Sequence, residues 1–357
     1  MVPSARLLAP LTTLRLGGAA RDVVEATTED EVVAAVRDAP GDVLVLGGGS
    51  NVVVSDEGFD GTAVLVRTRG IEEGEGHDHG QGARPILRVQ AGEPWDPFVA
   101  EAVGRGLAGV ECLSGIPGSV GATPIQNVGA YGQEVRSTVA GVRAYDRERD
   151  VVLDLVPAAL GFGYRTSRFK REPGRWVVLR VSFALLDEEG LSEPLRYVEL
   201  ARALDVPIGS RAPLADVRAA VLELRRGKGM VVDPDDLDSV SAGSFFTNPI
   251  LEPEELDALE ARVAERLGPE ARLPRFPEPD GRVKTSAAWL IERAGFTKGH
   301  GDPAAVAIST KHVLALTNRG AGTTAQLVAL AREVALGVEE AWGVRLAPEP
   351  VFVGHAW

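Results

Sequence analysis

The stretch LSGIPGSVGATPIQNVGAYG, residues 113–132, is the most informative part of this sequence. It contains five glycines and two prolines and has no charged residue. Glycine is unfavourable in the interior of a helix on entropic grounds, and it is unfavourable in the interior of a strand because it has no side chain to pack. One interpretation is a tight turn between core strands. The composition favours instead a buried, ordered loop whose backbone N–H groups approach a ligand closely, since loops of this length are usually either functional or disordered.

A second glycine loop lies upstream, in DVLVLGGGSN, residues 42–51. The apolar run predicts a strand, and the strand ends at three consecutive glycines whose N–H donors could hold a pyrophosphate. The sequence fits neither GxGxxG nor GxxxxGK[ST], so neither a Rossmann nor a Walker site is indicated. Two such loops in one chain strengthen the prediction of a phosphate-bearing ligand.

Composition narrows the class of protein. The 357 residues are 45% hydrophobic and 25% charged, which predicts globular material with cores in two or three domains. The net charge of −13 argues against nucleic acid or an anionic membrane surface as a partner. We expect a cytoplasmic protein without membrane insertion, because the sequence shows no signal-peptide pattern and no apolar run long enough to span a bilayer. Cys112 is the single cysteine, so redox chemistry would need a cofactor.

Periodicity predicts alternating helices and strands in the first half and an α+β unit at the end. Thr28 and Glu31 match a capping box at the start of a helix. We interpret residues 71–85 as a surface loop, and we assign no role to His77 and His79 within it. The remaining predicted elements are strands at 138–146, 150–156, 176–186, 304–310, 312–318 and 344–354, and helices at 196–204, 212–227, 252–267, 284–295 and 323–342.

Each of four polar features in the sequence has two possible interpretations, one structural and one functional. Arg165, Arg168, Lys170 and Arg171 form one basic cluster, and Arg225, Arg226 and Lys228 form another; each is either a solvated face or a site for an anionic small molecule. Ser244, in SAGSFFTNP, is either a hydrogen-bonded core serine or a functional group. Glu349 stands between Pro348 and Pro350, which restrict the backbone, and is either incidental to an edge strand or a positioned carboxylate.

Five motifs together resemble the UDP-N-acetylenolpyruvoylglucosamine reductase (MurB) family. They are LGGGSN, GIPGSVGATPIQNVGAYG, FGYRTSRFK, SAGSFFTNP and APEPVFVG, in the family's order along nearly the whole chain. The resemblance implies an α+β protein with a vanillyl-alcohol-oxidase/PCMH-type FAD-binding fold of two α+β subdomains, plus a C-terminal α+β substrate-binding domain. The implied domains are 10–188 for FAD, split near residue 67 and rejoined by a strand at 344–357, a helical connection with a substrate-covering loop at 189–229, and the substrate-binding domain at 230–343.

The resemblance also implies site residues. Arg165 matches the arginine that binds the substrate carboxylate, Ser244 the proton donor, and Glu349 the acidic partner of that arginine. Lys228 and Asn248 match positions that meet the UDP diphosphate, and Tyr197 is similar to the substrate-covering tyrosine of the type I subfamily. The turn Gly299–Pro303 departs from the usual family sequence. The matching flavin-binding positions are Gly47, Gly48, Gly49, Ser50, Asn51, Gly115, Gly118, Ser119, Gly121, Gln126, Asn127, Gly129, Ala130 and Tyr131.

The implied reaction is that of a UDP-N-acetylmuramate dehydrogenase in peptidoglycan precursor synthesis. NADPH reduces FAD, and FAD reduces the enolpyruvyl group of UDP-N-acetylglucosamine enolpyruvate. We expect the FAD to be non-covalent, because no histidine lies between Met1 and His77, where many related oxidases attach their flavin. Such an oxidase is one alternative function. The other is a non-catalytic flavin or sugar-nucleotide sensor, which would lack the set Arg165, Ser244 and Glu349.

Overall fold

The computed structural model describes residues 5–78 and 83–357, and within them the chain forms two units. Unit 1 contains Ala19–Gly49 and Phe59–Val231, together with the residues before Leu7. Unit 2 contains Leu7–Gly18, Ser50–Gly58 and Val232–Trp357. The predicted domain boundaries stay predictions; the units differ from them in assigning 189–231 to unit 1 and 50–58 to unit 2.

The secondary structure of the described residues is mixed. The helices are α1 Glu29–Arg37, α2 Trp95–Gly104, α3 Pro157–Leu160, α4 Arg168–Arg171, α5 Val198–Ala203, α6 Leu214–Arg226, α7 Pro253–Leu267, α8 Ala287–Arg293 and α9 Thr324–Trp342. The strands are β1 Arg6–Leu7, β2 Ala19–Ala26, β3 Asp42–Leu46, β4 Val52–Val54, β5 Phe59–Val66, β6 Ile71–Asp78, β7 Ala83–Gln90, β8 Leu107–Ala108, β9 Gly129–Ala130, β10 Gln133–Glu134, β11 Val139–Asp146, β12 Val151–Leu155, β13 Trp176–Ala184, β14 Leu186–Asp187, β15 Ser241–Ser244, β16 Ile250–Leu251, β17 Phe276–Pro277, β18 Val283–Lys284, β19 Val306–Ile308, β20 Ala315–Asn318 and β21 Val351–Val353.

Unit 1 contains two sheets. In the first, β5 lies between β2 and β3 and pairs with both in parallel, which brings the carboxyl ends of β3 and β5 to the same edge. The second is an antiparallel sheet in the order β12, β11, β13, β7, β6. Trp95 and Phe98 of α2 pack on Phe183 of β13, with ring centroids 4.9 to 5.9 Å apart, and all three are buried. A smaller apolar cluster, including Leu200 and Val217, joins α5 to α6.

Two sequence predictions in unit 1 need correction. Residues 71–78 were predicted as part of a surface loop, but they form β6, which pairs with β7. Gly74, one of the glycines that suggested a turn, packs closely in the sheet, since a Cβ on it would lie 2.9 Å from the Ile86 side chain. His79 lies outside the described residues. The capping box of α1 also differs: the Thr28 hydroxyl accepts from the Glu31 amide, but the Glu31 carboxylate accepts from the amide of Thr27.

Unit 2 has its own core. The antiparallel strands β15, β20 and β19 pack against α9, whose N-terminus has a capping box between Thr323 and Gln326. The helix ends at Gly343, whose φ of 72° is the left-handed conformation typical of a helix C-terminus. The predicted strand at 344–354 is shorter than expected: only β21 forms, in parallel pairing with β4. Pro348 and Pro350 cannot donate ladder hydrogen bonds, which explains the late start of β21. Among the described residues, no helix has the length and apolar character that a bilayer crossing requires.

Candidate active site

The two glycine loops of unit 1 touch each other. A Cβ on Gly48 would lie 2.6 Å from the Cα atom of Gly118, and a Cβ on Gly47 would overlap the Ser119 hydroxyl. Real Cβ atoms do not come so close, so both positions need glycine for this packing. The backbones of loops 47–49 and 115–121 therefore form one continuous surface, as the prediction of a shared ligand requires.

The central loop, residues 113–132, is held in place by the start of α2 and by the residues just before that helix. Gly118 O accepts from the Trp95 amide at 3.0 Å, and the amides of Val120 and Gly121 donate to Glu93 O and Ala91 O at 2.8 and 2.9 Å. This pairing holds the loop like a short extra strand. A Cβ on Gly121 would lie 2.5 Å from the Ala91 Cβ, so Gly121 is also required by packing.

Gly115 is held by protein groups. Its amide donates to Asp96 Oδ1 at 2.6 Å, and Asp96 forms a bidentate pair with Arg218 of α6 at 2.6 and 2.8 Å. A Cβ on Gly115 would lie 2.8 Å from the Leu222 side chain, and its φ of 72° favours glycine. These contacts explain Gly115 without a ligand, while its predicted flavin contact stays a prediction.

Arg165 lies in a tight turn that the central loop holds at both ends. Gly163 and Thr166 exchange two backbone hydrogen bonds around the turn, and Arg165 has a φ of 50°, which is uncommon outside glycine. The fully buried Asn127 donates from Nδ2 to Gly163 O at 2.9 Å, and the Ser167 hydroxyl donates to Ile125 O at 2.6 Å. The predicted held loop is thus confirmed, although α4 replaces its last residues.

The Arg165 guanidinium is itself oriented by the central loop. Its Nη2 donates to Gly129 O at 2.8 Å. Asn127 and Tyr131, both predicted flavin contacts, share its left-handed φ, at 48° each. Strained backbone of this kind persists where the surroundings determine it, and it clusters at functional sites. Arg168 of the same segment acts elsewhere, because it pairs with Glu172 and stacks on Trp176, with 4.8 Å to the ring centroid.

Predicted substrate residues meet beside Tyr131. Lys228 Nζ lies 5.6 Å from the centre of the Tyr131 ring, and the Tyr197 ring meets the same ring edge-on at 5.3 Å. Burial raises the pKa of Tyr131 to about 12, so it stays neutral at physiological pH. Lys228 also forms an ion pair with Glu199 at 2.6 Å, and both side chains are partly exposed. The structure thus brings together Tyr131, Tyr197 and Lys228 and adds Glu199.

In unit 2 a bulge turns Ser244. Ser241 pairs with Thr317 and Ser244 with Ala315, so β15 has one residue more than β20 over this interval. Gly243, with a φ of 75°, provides the extra residue. Such bulges re-aim side chains and are frequent next to active sites. Ser244 is half-buried, in contrast to the buried Ser241 on the same strand.

The same unit places Glu349 next to the Ser244 segment. The Glu349 amide donates to Phe245 O at 2.8 Å, and the Thr247 amide donates to Ala347 O at 3.0 Å. Asn51, from the end of the first glycine loop, donates from Nδ2 to Glu349 O at 3.4 Å. Asn51, Ser244 and Glu349 therefore share one scaffold. Asn248 lies four residues after Ser244 and contacts the N-terminus of α8. Its Oδ1 accepts from the Ala287 amide at 3.0 Å.

Gly129 and Ala130 are two further predicted flavin contacts, and the flavin contacts of Ser50 and Gln126 stay predictions. Gly129 and Ala130 form β9, which pairs with β10, and a Cβ on Gly129 would lie 2.8 Å from the Glu134 side chain. Three contributors were missed by the sequence analysis: Arg67, whose Nη1 donates to Gly47 O, Asp96 and Glu199. No local pattern in the sequence points to them, because each acts on a residue 19 or more positions away.

The glycine surface fits a dinucleotide. Glycines at 47–49, 115, 118 and 121 leave stretches of backbone without side chains along the two loops, and main-chain N–H groups in such loops suit a pyrophosphate. Residues 20–153 match the family model described as FAD binding domain. Fold and site together define an FAD-dependent oxidoreductase.

The second half of the chain specifies the family. Residues 234–353 match the model of the UDP-N-acetylenolpyruvoylglucosamine reductase C-terminal domain. Relatives of that name are 59% identical over 98% of this chain and 89% of the relative in Streptomyces coelicolor, and 57% identical over 97% of this chain and 96% of the relative in Thermobifida fusca. The crystal structure of the MurB reductase from Thermus caldophilus is 26% identical, with a TM-score of 0.64 over 99% of each chain. The chain belongs to the UDP-N-acetylenolpyruvoylglucosamine reductase family.

Proposed function

We propose that this protein reduces UDP-N-acetylglucosamine enolpyruvate to UDP-N-acetylmuramate with NADPH, in the cytoplasm. The observation that carries the proposal is the hydrogen bond from the Glu349 amide to Phe245 O, which sets Glu349 beside the strand of Ser244. A proton donor and an acid that stabilises developing charge are the two groups that reduction of an enolpyruvyl ether needs. FAD held by the loops at 47–49 and 115–121 would supply the redox chemistry, which is hydride transfer from NADPH to the enolpyruvyl group.

Arg165 binds the substrate carboxylate in this proposal. Its guanidinium is planar, keeps its charge, and can meet a carboxylate with two parallel hydrogen bonds. The turn at Gly163–Thr166 and the bond to Gly129 O restrict its motion before substrate arrives. Preorganisation of this kind lowers the entropic cost of orienting the reacting group.

Glu349 and Ser244 complete the chemistry. Hydride addition at the methylene leaves negative charge that spreads from the α carbon to the carboxylate. Glu349, in its protonated form, donates a hydrogen bond to that developing charge. The Ser244 hydroxyl then delivers a proton to the α carbon, which completes the saturated lactyl ether. The bulge at Gly243 supports this role because it changes the face on which Ser244 stands.

The UDP part is assigned to Lys228, Asn248 and Tyr197. Lys228 is a cation on a flexible stem and suits a diphosphate as a point charge. Tyr197 is 43% exposed, so its ring is available to cover a bound substrate, as in type I enzymes of the family. The net charge of −13 opposes nucleic acid as an alternative partner.

One assay tests the proposal. The purified protein should show a flavin spectrum and oxidise NADPH rapidly only when UDP-N-acetylglucosamine enolpyruvate is added, with UDP-N-acetylmuramate as the product identified by mass. Oxidation at the same rate without the sugar nucleotide would indicate an oxidase and contradict the proposal. Acid precipitation should also release the FAD, because we propose that it is bound non-covalently.

A further inference from the structure

Arg67 forms a hydrogen bond to the first residue of the first glycine loop. It directly follows β5, and because β5 pairs in parallel with β3, with Leu65 opposite Leu46, Arg67 emerges at the edge where Gly47 begins the loop. Its Nη1 donates to Gly47 O at 3.0 Å and to Val66 O at 3.2 Å. Ligands of parallel sheets bind at the carboxyl ends of the strands, so Arg67 stands on the ligand side of this sheet.

The charge of Arg67 is not paired with a carboxylate among the side chains that the structure describes. No ion pair there involves this half-buried guanidinium, and its hydrogen bonds go to carbonyl groups. Glu25, the acid with the largest effect on it, is itself paired with Arg6 at 2.7 Å. Burial lowers the pKa of Arg67, the direction expected when a cation loses hydration without gaining an anion. A partly buried unpaired charge costs free energy that a bound anion would recover.

The surroundings favour an anion of one kind. Residues 113–132 carry no charged side chain and residues 43–51 carry none, so the joined glycine loops offer a ligand the dipoles of backbone and uncharged polar groups but no full charge. The pyrophosphate of FAD is doubly negative, and a full positive charge beside the loop complements it better than dipoles alone. We propose that Arg67 is an FAD-binding residue that both ties the Gly47 carbonyl and attracts the cofactor's pyrophosphate.

Two variants and a matched control test this assignment. Arg67→Gln removes the charge, whereas Arg67→Lys keeps it but loses the planar fork. Arg69→Gln is the control, because Arg69 is exposed, lies two positions away and, within the described part of the chain, donates only to its neighbour Thr68 O at 3.4 Å. The dissociation constant of FAD is measured from the recovery of free flavin fluorescence when each holoenzyme is diluted, at low and at high ionic strength. Far-UV circular dichroism of each diluted sample confirms that the chain remains folded.

We expect Arg67→Gln to weaken FAD binding ten- to a hundredfold at low salt, the loss typical of one charge-assisted hydrogen bond. The variant should also lose part of the salt dependence that the wild type shows, because salt screens charge pairs. The dissociation constant of FAD in Arg67→Lys should lie between those of the wild type and Arg67→Gln, and its salt dependence should match that of the wild type. Equal dissociation constants for Arg67→Gln and Arg69→Gln would overturn the assignment. So would an equal loss in Arg67→Gln and Arg67→Lys with an unchanged salt dependence, which would reduce Arg67 to a structural tie of the loop.

Discussion

The Cα atom of Gly118 lies 2.6 Å from where a Cβ on Gly48 would be, so two loops 70 residues apart in sequence meet through bare backbone. This contact explains why neither loop tolerates a side chain at the junction. It also explains how two separate glycine-rich segments form one surface that suits a dinucleotide. Cofactor binding in unit 1 should depend on it.

Gly48→Ala should therefore weaken FAD binding strongly. The added methyl group has to push Gly118 away, and overpacking of this kind typically costs about 1–3 kcal/mol. The matched control is Gly104→Ala at the end of α2, where no atom of the described residues, apart from the chain neighbours and the helix's own backbone, lies within 4 Å of the added Cβ. The measurement is the flavin content of the purified variants. A fully loaded Gly48→Ala protein would show that the contact is not needed for cofactor binding.

Arg165→Lys should lower turnover although it keeps the charge. Loss of the bidentate geometry and of one charge-assisted hydrogen bond, about 1.5–3 kcal/mol, corresponds to roughly ten- to a hundredfold in kcat/KM for the enolpyruvyl substrate. Reduction of the flavin by NADPH should stay at the wild-type rate. Arg168→Lys is the control, since that side chain pairs with Glu172 at the surface. Unchanged steady-state kinetics in Arg165→Lys would remove Arg165 from the site.

Glu199 should compete with the substrate for Lys228. The pair is partly exposed, and such pairs are worth up to about 1 kcal/mol. Glu199→Gln should lower the KM of the sugar nucleotide by up to about fivefold and leave kcat unchanged. Glu223→Gln, an exposed residue of α6, gives the same change in net charge as a control. A raised KM in Glu199→Gln would mean instead that Glu199 positions Lys228 for binding.

Glu111 should make stability depend on pH. It is fully buried next to the central loop, and burial raises the pKa of its carboxyl against the effect of hydrogen bonds from Gly109 and Gln133. An acid whose pKa is raised by folding favours the fold when protonated. The free energy of unfolding should thus fall as pH rises from the ordinary glutamate pKa, about 4.3, through the raised value.

Glu111→Gln removes this ionisation. Urea unfolding of the FAD-saturated proteins across that pH range should show a smaller fall for the variant than for the wild type. The free energy of unfolding itself also changes, because the glutamine side chain cannot accept the hydrogen bonds from both Gly109 and Gln133. The quantity to compare is therefore the slope of the free energy of unfolding with pH. Parallel curves would show that Glu111 does not lose its proton in this range.

The sequence was sufficient for features that depend on local chemistry. The glycine content of 113–132, the apolar period of α9 and the N-cap at Thr28 are all visible in short windows. The sequence was misleading at 71–78, where glycines and acids are typical of a turn but pairing with β7 decides the structure. Tertiary contacts commonly override local preference in strands.

Residue partnerships across long stretches of chain could not be predicted. The bond from Arg67 to Gly47 and the pair of Lys228 with Glu199 depend on which segments the fold brings together. The bulge that turns Ser244 depends on the register between β15 and β20, which the pattern SAGS does not encode. The resemblance assigned the roles of single residues, whereas the structure supplies the groups that hold them.

The most direct test separates the two half-reactions in Ser244→Ala. The variant should be reduced by NADPH at the wild-type rate, because that step does not involve the serine. After photoreduction and rapid mixing with UDP-N-acetylglucosamine enolpyruvate, its flavin should be reoxidised ~10²- to 10⁴-fold more slowly than in the wild type, the typical cost of losing a general acid. Ser309→Ala is the control, since that buried hydroxyl accepts from the Lys311 amide at 3.0 Å and should affect stability but not the rate. Wild-type reoxidation in folded Ser244→Ala would contradict the proposed mechanism.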